Sequence, residues 1–114
     1  MLSWSCHESD AEVDLAAVAA GEGDAGLPLG RELLSFATAA AELRSDDTSM
    51  GVARDALVAA AGYEVMVDAA AVAANFHMMT RLADGTGARY PESRQTDMAR
   101  TIAAMGTAEM TSRR

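Results

Sequence analysis

The sequence predicts an all-α protein, a bundle of four to five helices, and three observations carry this prediction. Alanine occurs 26 times among the 114 residues, and with Leu, Met, Glu and Arg it belongs to the best helix formers. No stretch sustains the alternation of apolar and polar residues that a half-buried strand requires. Apolar residues instead recur every three or four positions, as on one face of a helix. Because aromatic residues make up only 4% of the chain, we expect closely packed helices around a thin core.

The chain is predicted to divide into two parts. Residues 1–26 form an acidic N-terminal segment with a weakly amphipathic helix over 10–20, which Gly21 ends. A flexible, glycine-rich linker over 21–26 follows, because glycines alternate there with small and acidic residues. Residues 27–114 are predicted to form the helical bundle domain.

The second predicted helix begins near Pro28, and an apolar stripe extends along it to Arg44. The stripe consists of Leu29, Leu33, Phe36, Ala40 and Leu43. A third helix is predicted over 50–61, preceded by four residues whose side-chain oxygens suit an N-cap. These candidates are Asp46, Asp47, Thr48 and Ser49. Gly62 suits a left-handed C-cap, which predicts a sharp corner before the next helix.

The fourth predicted helix, over 64–84, is the longest, at about 32 Å. It carries two apolar rows, namely Val65, Ala69, Val72, Phe76 and Val67, Ala71, Ala74, Met78. A helix apolar on so much of its circumference is expected to be buried on several sides, in part by another copy of the chain. Gly85 and Gly87 are expected to end it.

The last predicted helix has Pro91 in its first turn and runs to residue 110. Its apolar stripe comprises Met98, Ile102 and Met105, and Gly106 is a weak point in it. The basic tail, Arg113 and Arg114, complements the C-terminal end of its dipole.

The charge distribution limits the classes of partner. The net charge is -8, and residues 1–57 carry all of it. An acidic chain lacks the basic surface that nucleic acids and anionic membranes require, so we expect neither as a partner. The acidic half is either a solvated face or a docking surface for a basic protein. With no apolar run of spanning length and no signal-peptide pattern, we expect a soluble, cytoplasmic protein.

Cysteine and histidine counts limit the chemistry further. A single cysteine, Cys6, excludes an intramolecular disulfide, a dithiol redox pair and a cysteine-rich zinc site. Its neighbour His7 could act as a base, but the surrounding acidic residues disfavour a reactive thiolate. With only two histidines and no glycine-rich phosphate loop after a strand, we expect neither a metal nor a cofactor.

The candidate catalytic residues are His77, Arg81 and Asp84, which share one face of the fourth predicted helix. An imidazole near a cation and a carboxylate could serve as a general base on a substrate acid that the guanidinium holds. Alternatively, Arg81 and Asp84 pair at the helix end and His77 lies at an interface edge.

Polar and sulfur side chains within the helices suggest a ligand or interface role. Asn75 lies in the middle of a helix, where it gains little from that helix. We expect it to hydrogen-bond a neighbouring helix or loop, or to bind a ligand. The methionines fill gaps in the core, or line an adaptable apolar pocket or subunit interface.

Residues 53–88 resemble the alkylhydroperoxidase D-like superfamily, which includes the carboxymuconolactone decarboxylases. The stretch combines a short helix, a glycine corner and a long alanine-rich helix, and it ends in Asn75, Phe76, His77, Met78, Met79, Thr80, Arg81, Leu82, Ala83, Asp84, Gly85, Thr86 and Gly87. The resemblance implies an all-helical, oligomerising domain. The Cys-x-x-Cys motif of the redox members is absent, so no catalytic residue is transferred and dithiol peroxidase activity is not expected.

Two functions follow from these observations. The first is a self-associating domain that lacks the redox dithiol and is either structural or binds a partner, which could be a basic protein or a small apolar or acidic ligand. The second is a cofactor-independent, decarboxylase-like or isomerase-like enzyme that acts on a small organic acid through His77 and Arg81.

Overall fold

A computed structural model describes residues 12–42, 47–88 and 91–106, and every regular element in those ranges is an α-helix. The helices are α1 (Leu15–Ala20), α2 (Gly30–Ala41), α3 (Asp47–Ala61), α4 (Tyr63–Thr86) and α5 (Glu92–Met105). The prediction of an all-α chain is therefore confirmed for the described residues.

Helix α1 begins later than predicted. Residues 12–14 are not helical, because Asp14 adopts an extended conformation and caps the helix. Its Oδ1 accepts hydrogen bonds from the backbone N–H groups of Ala16 and Ala17, at 2.9 and 3.1 Å. Gly21 ends the helix in the left-handed conformation, with φ 68°, as predicted. The first residues of the predicted helix, 10 and 11, lie outside the described ranges.

The predicted linker forms a series of turns that return to the start of α1. Asp24 Oδ1 accepts from the Gly26 N–H at 3.0 Å, and the Asp14 N–H donates to the Ala25 carbonyl at 3.1 Å. Ala25 is buried. This segment therefore contacts the helix before it; the division of the chain after residue 26 stays a prediction.

Helix α2 begins at Gly30, after Leu29 in a left-handed conformation with φ 58°. A side chain at residue 30 would clash with the Asp24 carbonyl, so this turn requires glycine. Phe36 is buried and Leu33 half-buried as the predicted stripe requires, but Ala39 is buried where Ala40 was expected. Leu43 and Arg44 lie outside the described residues.

Helix α3 begins at Asp47, three residues before the predicted start, and ends at Ala61. Asp47, Thr48 and Ser49 therefore lie inside its first turn and are not its N-cap, while Asp46 lies outside the described ranges. The corner at Gly62 is confirmed, but its conformation is not the predicted left-handed one. With φ 89° and ψ 168°, Gly62 occupies a region that is essentially restricted to glycine.

Helices α4 and α5 end at left-handed glycines. Helix α4 includes Gly85 and ends before Gly87, whose N–H donates to the Ala83 and Asp84 carbonyls. Helix α5 ends at Met105 with Gly106 as its C-cap, earlier than the predicted end at residue 110; residues 107–110 lie outside the described ranges. Met98, Ile102 and Met105 are half-buried, and α5 packs on α1. Arg113 and Arg114 lie outside the described ranges.

The core lies where α2, α3 and α4 pack on one another. Phe36, Leu57 and Met66 are its buried centre. Partly buried residues surround them, namely Leu33, Met50, Val58, Ala61, Ala69 and Ala70. Few large side chains take part, so the core is thin, as the low aromatic content predicts. None of the described helices combines the length and apolarity that crossing a membrane requires.

Candidate functional site

The face of α4 that contacts the core also carries the predicted catalytic residues. Near its N-terminus this face contributes Met66, Ala69 and Ala70 to the core. Steps of three and four residues lead from Met66 along the same face to His77, Arg81 and Asp84. At that distance the helix has passed beyond the packed part of α2 and α3, and all three side chains are exposed.

No described contact joins His77, Arg81 and Asp84 into a reactive group. Within the described part of the chain the ion pair present is Arg54 Nε with Asp55 Oδ1 at 3.3 Å, on α3. Arg81 and Asp84 do not pair there, so the expected ion pair at the helix end is absent. A general base must be held within hydrogen-bond reach of its substrate, and no described hydrogen bond or ion pair positions His77. Acid-base catalysis by these residues therefore stays a prediction without a supporting contact.

A shallow surface depression lies elsewhere, between the start of α1 and α5. It is lined by Glu12, Val13, Asp14, Leu15, Ala16 and Ala104. None of the predicted catalytic residues contributes to it, and the carboxylate of Asp14 is already engaged in capping α1. Within the described ranges, no three His, Cys, Asp or Glu side chains are grouped as ligands of a metal ion would be.

Asn75 differs from its predicted role. Its Nδ2 donates to the Met79 Sδ at 3.7 Å, one turn further along the same helix. Among the described residues it makes no hydrogen bond to a neighbouring helix or loop, so that expectation is wrong for this part of the chain. A thioether is a weak acceptor, and the exposed amide retains most of its hydrogen-bonding capacity.

Most of the apolar surface of α4 is exposed, against the expectation that the helix is buried on several sides. Met66 is its buried residue. Eight large apolar side chains of this helix are exposed, namely Tyr63, Val65, Val67, Val72, Phe76, Met78, Met79 and Leu82. The apolar rows were recognised correctly in the sequence, but within the single chain only one side of the helix has a partner.

One of these rows has the spacing of a coiled-coil seam. We call it the heptad stripe: Val65, Ala69, Val72, Phe76, Met79 and Ala83. Its members alternate by four and three residues, the pattern of positions a and d in a heptad repeat. The stripe is centred about 100° around the helix axis from Met66, and its member Ala69, on the side towards Met66, also packs against the core. Val72 is 58% exposed, Phe76 48% and Met79 47%, so its outer part is open to solvent.

Comparison of the chain with models of protein families, with curated proteins and with solved structures gave no significant match in any of the three. The resemblance to the alkylhydroperoxidase D-like superfamily therefore stays a prediction. Cys6 and His7 lie outside the described residues, and the low reactivity expected of that thiol stays a prediction as well.

Proposed function

We propose that this chain is a non-catalytic self-association domain and that the heptad stripe of α4 is its contact surface. The exposure of Val72, Phe76 and Met79 in a heptad spacing carries the proposal. Apolar surface in water is unfavourable in proportion to its area. A continuous row of this kind gains stability from a partner that removes it from water.

The size of the surface agrees with a dimer of modest affinity. Helix α4 has 24 residues, so it is about 36 Å long and about 10 Å wide. Half of its lateral surface is then about 570 Å², and two copies bury about 1,100 Å² together. Specific protein interfaces begin near 1,200 Å² in total. A helix pair of this size lies just below that range, so we expect a dimer whose formation depends on protein concentration.

The other functions stay predictions. The alkylhydroperoxidase-like resemblance implies the same habit of self-association. Binding of a basic protein or of a small apolar or acidic ligand has no described contact that favours it. An acid-base enzyme requires His77, and replacing His77 by Gln abolishes turnover of a small organic acid if the chain is such an enzyme.

The test compares two charged substitutions of the same residue type. Val72 on α4 and Val52 on α3 are similarly exposed, at 58% and 67%, but only Val72 belongs to the heptad stripe. We expect the unmodified chain to sediment as a concentration-dependent oligomer. Val72→Glu places a carboxylate in the contact surface, so we expect at least a tenfold weaker association. Val52→Glu leaves the association constant unchanged.

Analytical ultracentrifugation over a hundredfold concentration range measures both variants. Circular dichroism at each concentration shows whether the helices are retained. A monomeric unmodified chain, or equal association constants for the two folded variants, contradicts the proposed function.

A further inference from the structure

We propose that the heptad stripe pairs with the same stripe of a second copy, the two α4 helices running antiparallel about a two-fold axis near Ala74. This inference rests on the proposed function, because it assigns the partner, orientation and register of that same surface. Four features of α4 support it: the order of side-chain sizes, the charges at its ends, the position of the bundle, and Asn75.

The order of side-chain sizes is complementary to itself in the antiparallel direction. The spacing of the stripe is the same in both directions, so reversing one copy about position 74 aligns all six residues. Val65 then faces Ala83, Ala69 faces Met79, and Val72 faces Phe76. Each layer joins a smaller and a larger side chain, as close packing requires. A parallel pair instead places Phe76 against Phe76 and Ala69 against Ala69, which alternates crowded and empty layers.

The charges on α4 also favour opposite directions. Glu64 and Asp68 lie in its first two turns, whereas the charges of Arg81 and Asp84 near its C-terminus cancel. A parallel pair brings both acidic ends together and aligns the two helix dipoles, which is unfavourable. An antiparallel pair separates the two acidic ends and sets the two helix dipoles in opposite directions.

The position of the bundle on α4 makes the two halves of this helix unequal. Helices α2 and α3 cover the half that contains Met66, Ala69 and Ala70. The half beyond Asn75 has exposed side chains on nearly every side. Antiparallel pairing brings the uncovered half of each copy beside the bundle of the other, while parallel pairing leaves both uncovered halves at the same end.

Asn75 lies one residue from the proposed axis. The Asn75 side chains of the two copies are then offset by two residues, about 3 Å along the helix axis, and they lie on the same side of the seam. An amide both donates and accepts, so two asparagines can satisfy each other. A polar contact beside an apolar seam that can form in only one alignment favours that register of pairing. In the single chain, the described hydrogen bond of the Asn75 amide is to the thioether of Met79, a weak acceptor. Pairing with a second copy gives this amide a stronger hydrogen-bond partner.

Single cysteines distinguish the two directions. We use the full chain with Cys6→Ser and introduce either Val65→Cys or Ala83→Cys, one variant carrying a mass tag. In the antiparallel pair, two copies of residue 65 lie 18 residues apart, about 27 Å. A disulfide requires Cα atoms within about 7 Å. We expect the mixed disulfide between the two variants after mild oxidation, in at least tenfold excess over either symmetric one.

The outcomes separate this inference from the proposed function. If Val65→Cys forms mainly disulfides between two copies of itself, the pair is parallel. That result overturns the antiparallel inference and leaves self-association intact. A dimer that forms neither disulfide uses another surface, which overturns the inference and the assigned contact surface together. A monomeric Cys6→Ser chain at all concentrations overturns both proposals.

A second pair of variants protects the test against a local failure of folding. Ala69→Cys and Met79→Cys face each other in the same register, one heptad layer inside the first pair. The antiparallel inference predicts the mixed disulfide here as well. Dominance of the symmetric product at this layer, in variants that retain their helical circular dichroism, contradicts the inference.

Discussion

At the scale of single residues, Asp14 shows how one side chain sets the start of a helix. Its carboxylate accepts from two backbone N–H groups of α1, which otherwise have no partner within the helix. Helix α1 has only six residues, too few to be stable alone. The cap therefore contributes a large share of the stability of α1.

We expect Asp14→Ala to lower the free energy of unfolding by about 1 kcal/mol, because alanine leaves those N–H groups without an acceptor. Urea denaturation measures the loss, and hydrogen exchange at the amides of Ala16 and Ala17 locates it. Asp14→Asn keeps an accepting oxygen and serves as the control. Equal exchange rates in the alanine variant and the unmodified chain would contradict this account.

Some residue-level features follow from the sequence and others do not. The apolar positions of Leu33 and Phe36 were predictable, because large side chains at helical spacing have one favourable side. Ala39 and Ala40 were not distinguishable, since both are small and they lie on either side of Phe36 around the helix axis, about 60° and about 40° from it. Asn75 was recognised as unusual, but its hydrogen-bond partner depends on the neighbours that α4 has in space.

At the scale of elements, two glycines of similar openness have opposite effects on stability. Gly62 and Gly85 both have no atom within 4 Å of an added Cβ. Gly62 joins α3 to α4 with φ 89°, which strains any other residue. Gly85 lies inside α4 with a helical conformation, where glycine only adds flexibility to the unfolded chain.

We therefore predict opposite signs for the two alanine substitutions. Gly62→Ala lowers the free energy of unfolding by about 1 to 3 kcal/mol through backbone strain. Gly85→Ala raises it by about 0.5 to 1 kcal/mol through helix propensity. Urea denaturation at fixed protein concentration measures both. The same sign for both variants would contradict the conformations assigned to the two glycines.

The ends of the helices were predictable where local chemistry decides them. Gly21 was expected as a helix end and Gly87 as one of two terminators of α4, and both take the left-handed conformation, which costs glycine little. The start of α2 was not predictable, because Leu29 adopts a left-handed conformation that leucine rarely takes. The turn before it is held by backbone hydrogen bonds from Leu27 to Asp24 and from Gly30 to Leu27, and no residue type in it announces that conformation. The two apolar rows of α4 could be recognised in the sequence. Whether their side chains are buried depends on which helices pack against α4, and the sequence alone does not specify those helices.

At the scale of the whole molecule, the single chain is more expanded than a compact protein of its size. Its accessible surface is 8914 Å², against about 6,000 Å² for a compact monomer of this mass. Its radius of gyration is 15.2 Å, against about 13 Å for a compact chain of this length. Among the described residues only six apolar ones are buried, so the proposed association would add substantially to the stability of the fold.

We expect the melting temperature to rise with protein concentration, because association stabilises the folded state by mass action. A hundredfold increase in concentration raises Tm by about 5 °C when the chain is dimeric throughout that range. Calorimetric scans at several concentrations measure this. Val72→Glu, if it weakens association as proposed, melts at a temperature that depends far less on concentration. A constant Tm for the unmodified chain would contradict the contribution of association to stability.

The packing of α1 on α5 joins the beginning of the described chain to its end. Helices α2, α3 and α4 contact their neighbours in sequence, whereas Ala20 and Glu92 are separated by about 70 residues. Bringing the ends of so long a segment together costs conformational entropy, and this cost is incurred before the contacts between α1 and α5 can form. The three central helices are therefore expected to fold first and rapidly, with α1 and α5 docking afterwards. In the native state the same pair of helices is expected to open most often, exposing both ends of the described chain together.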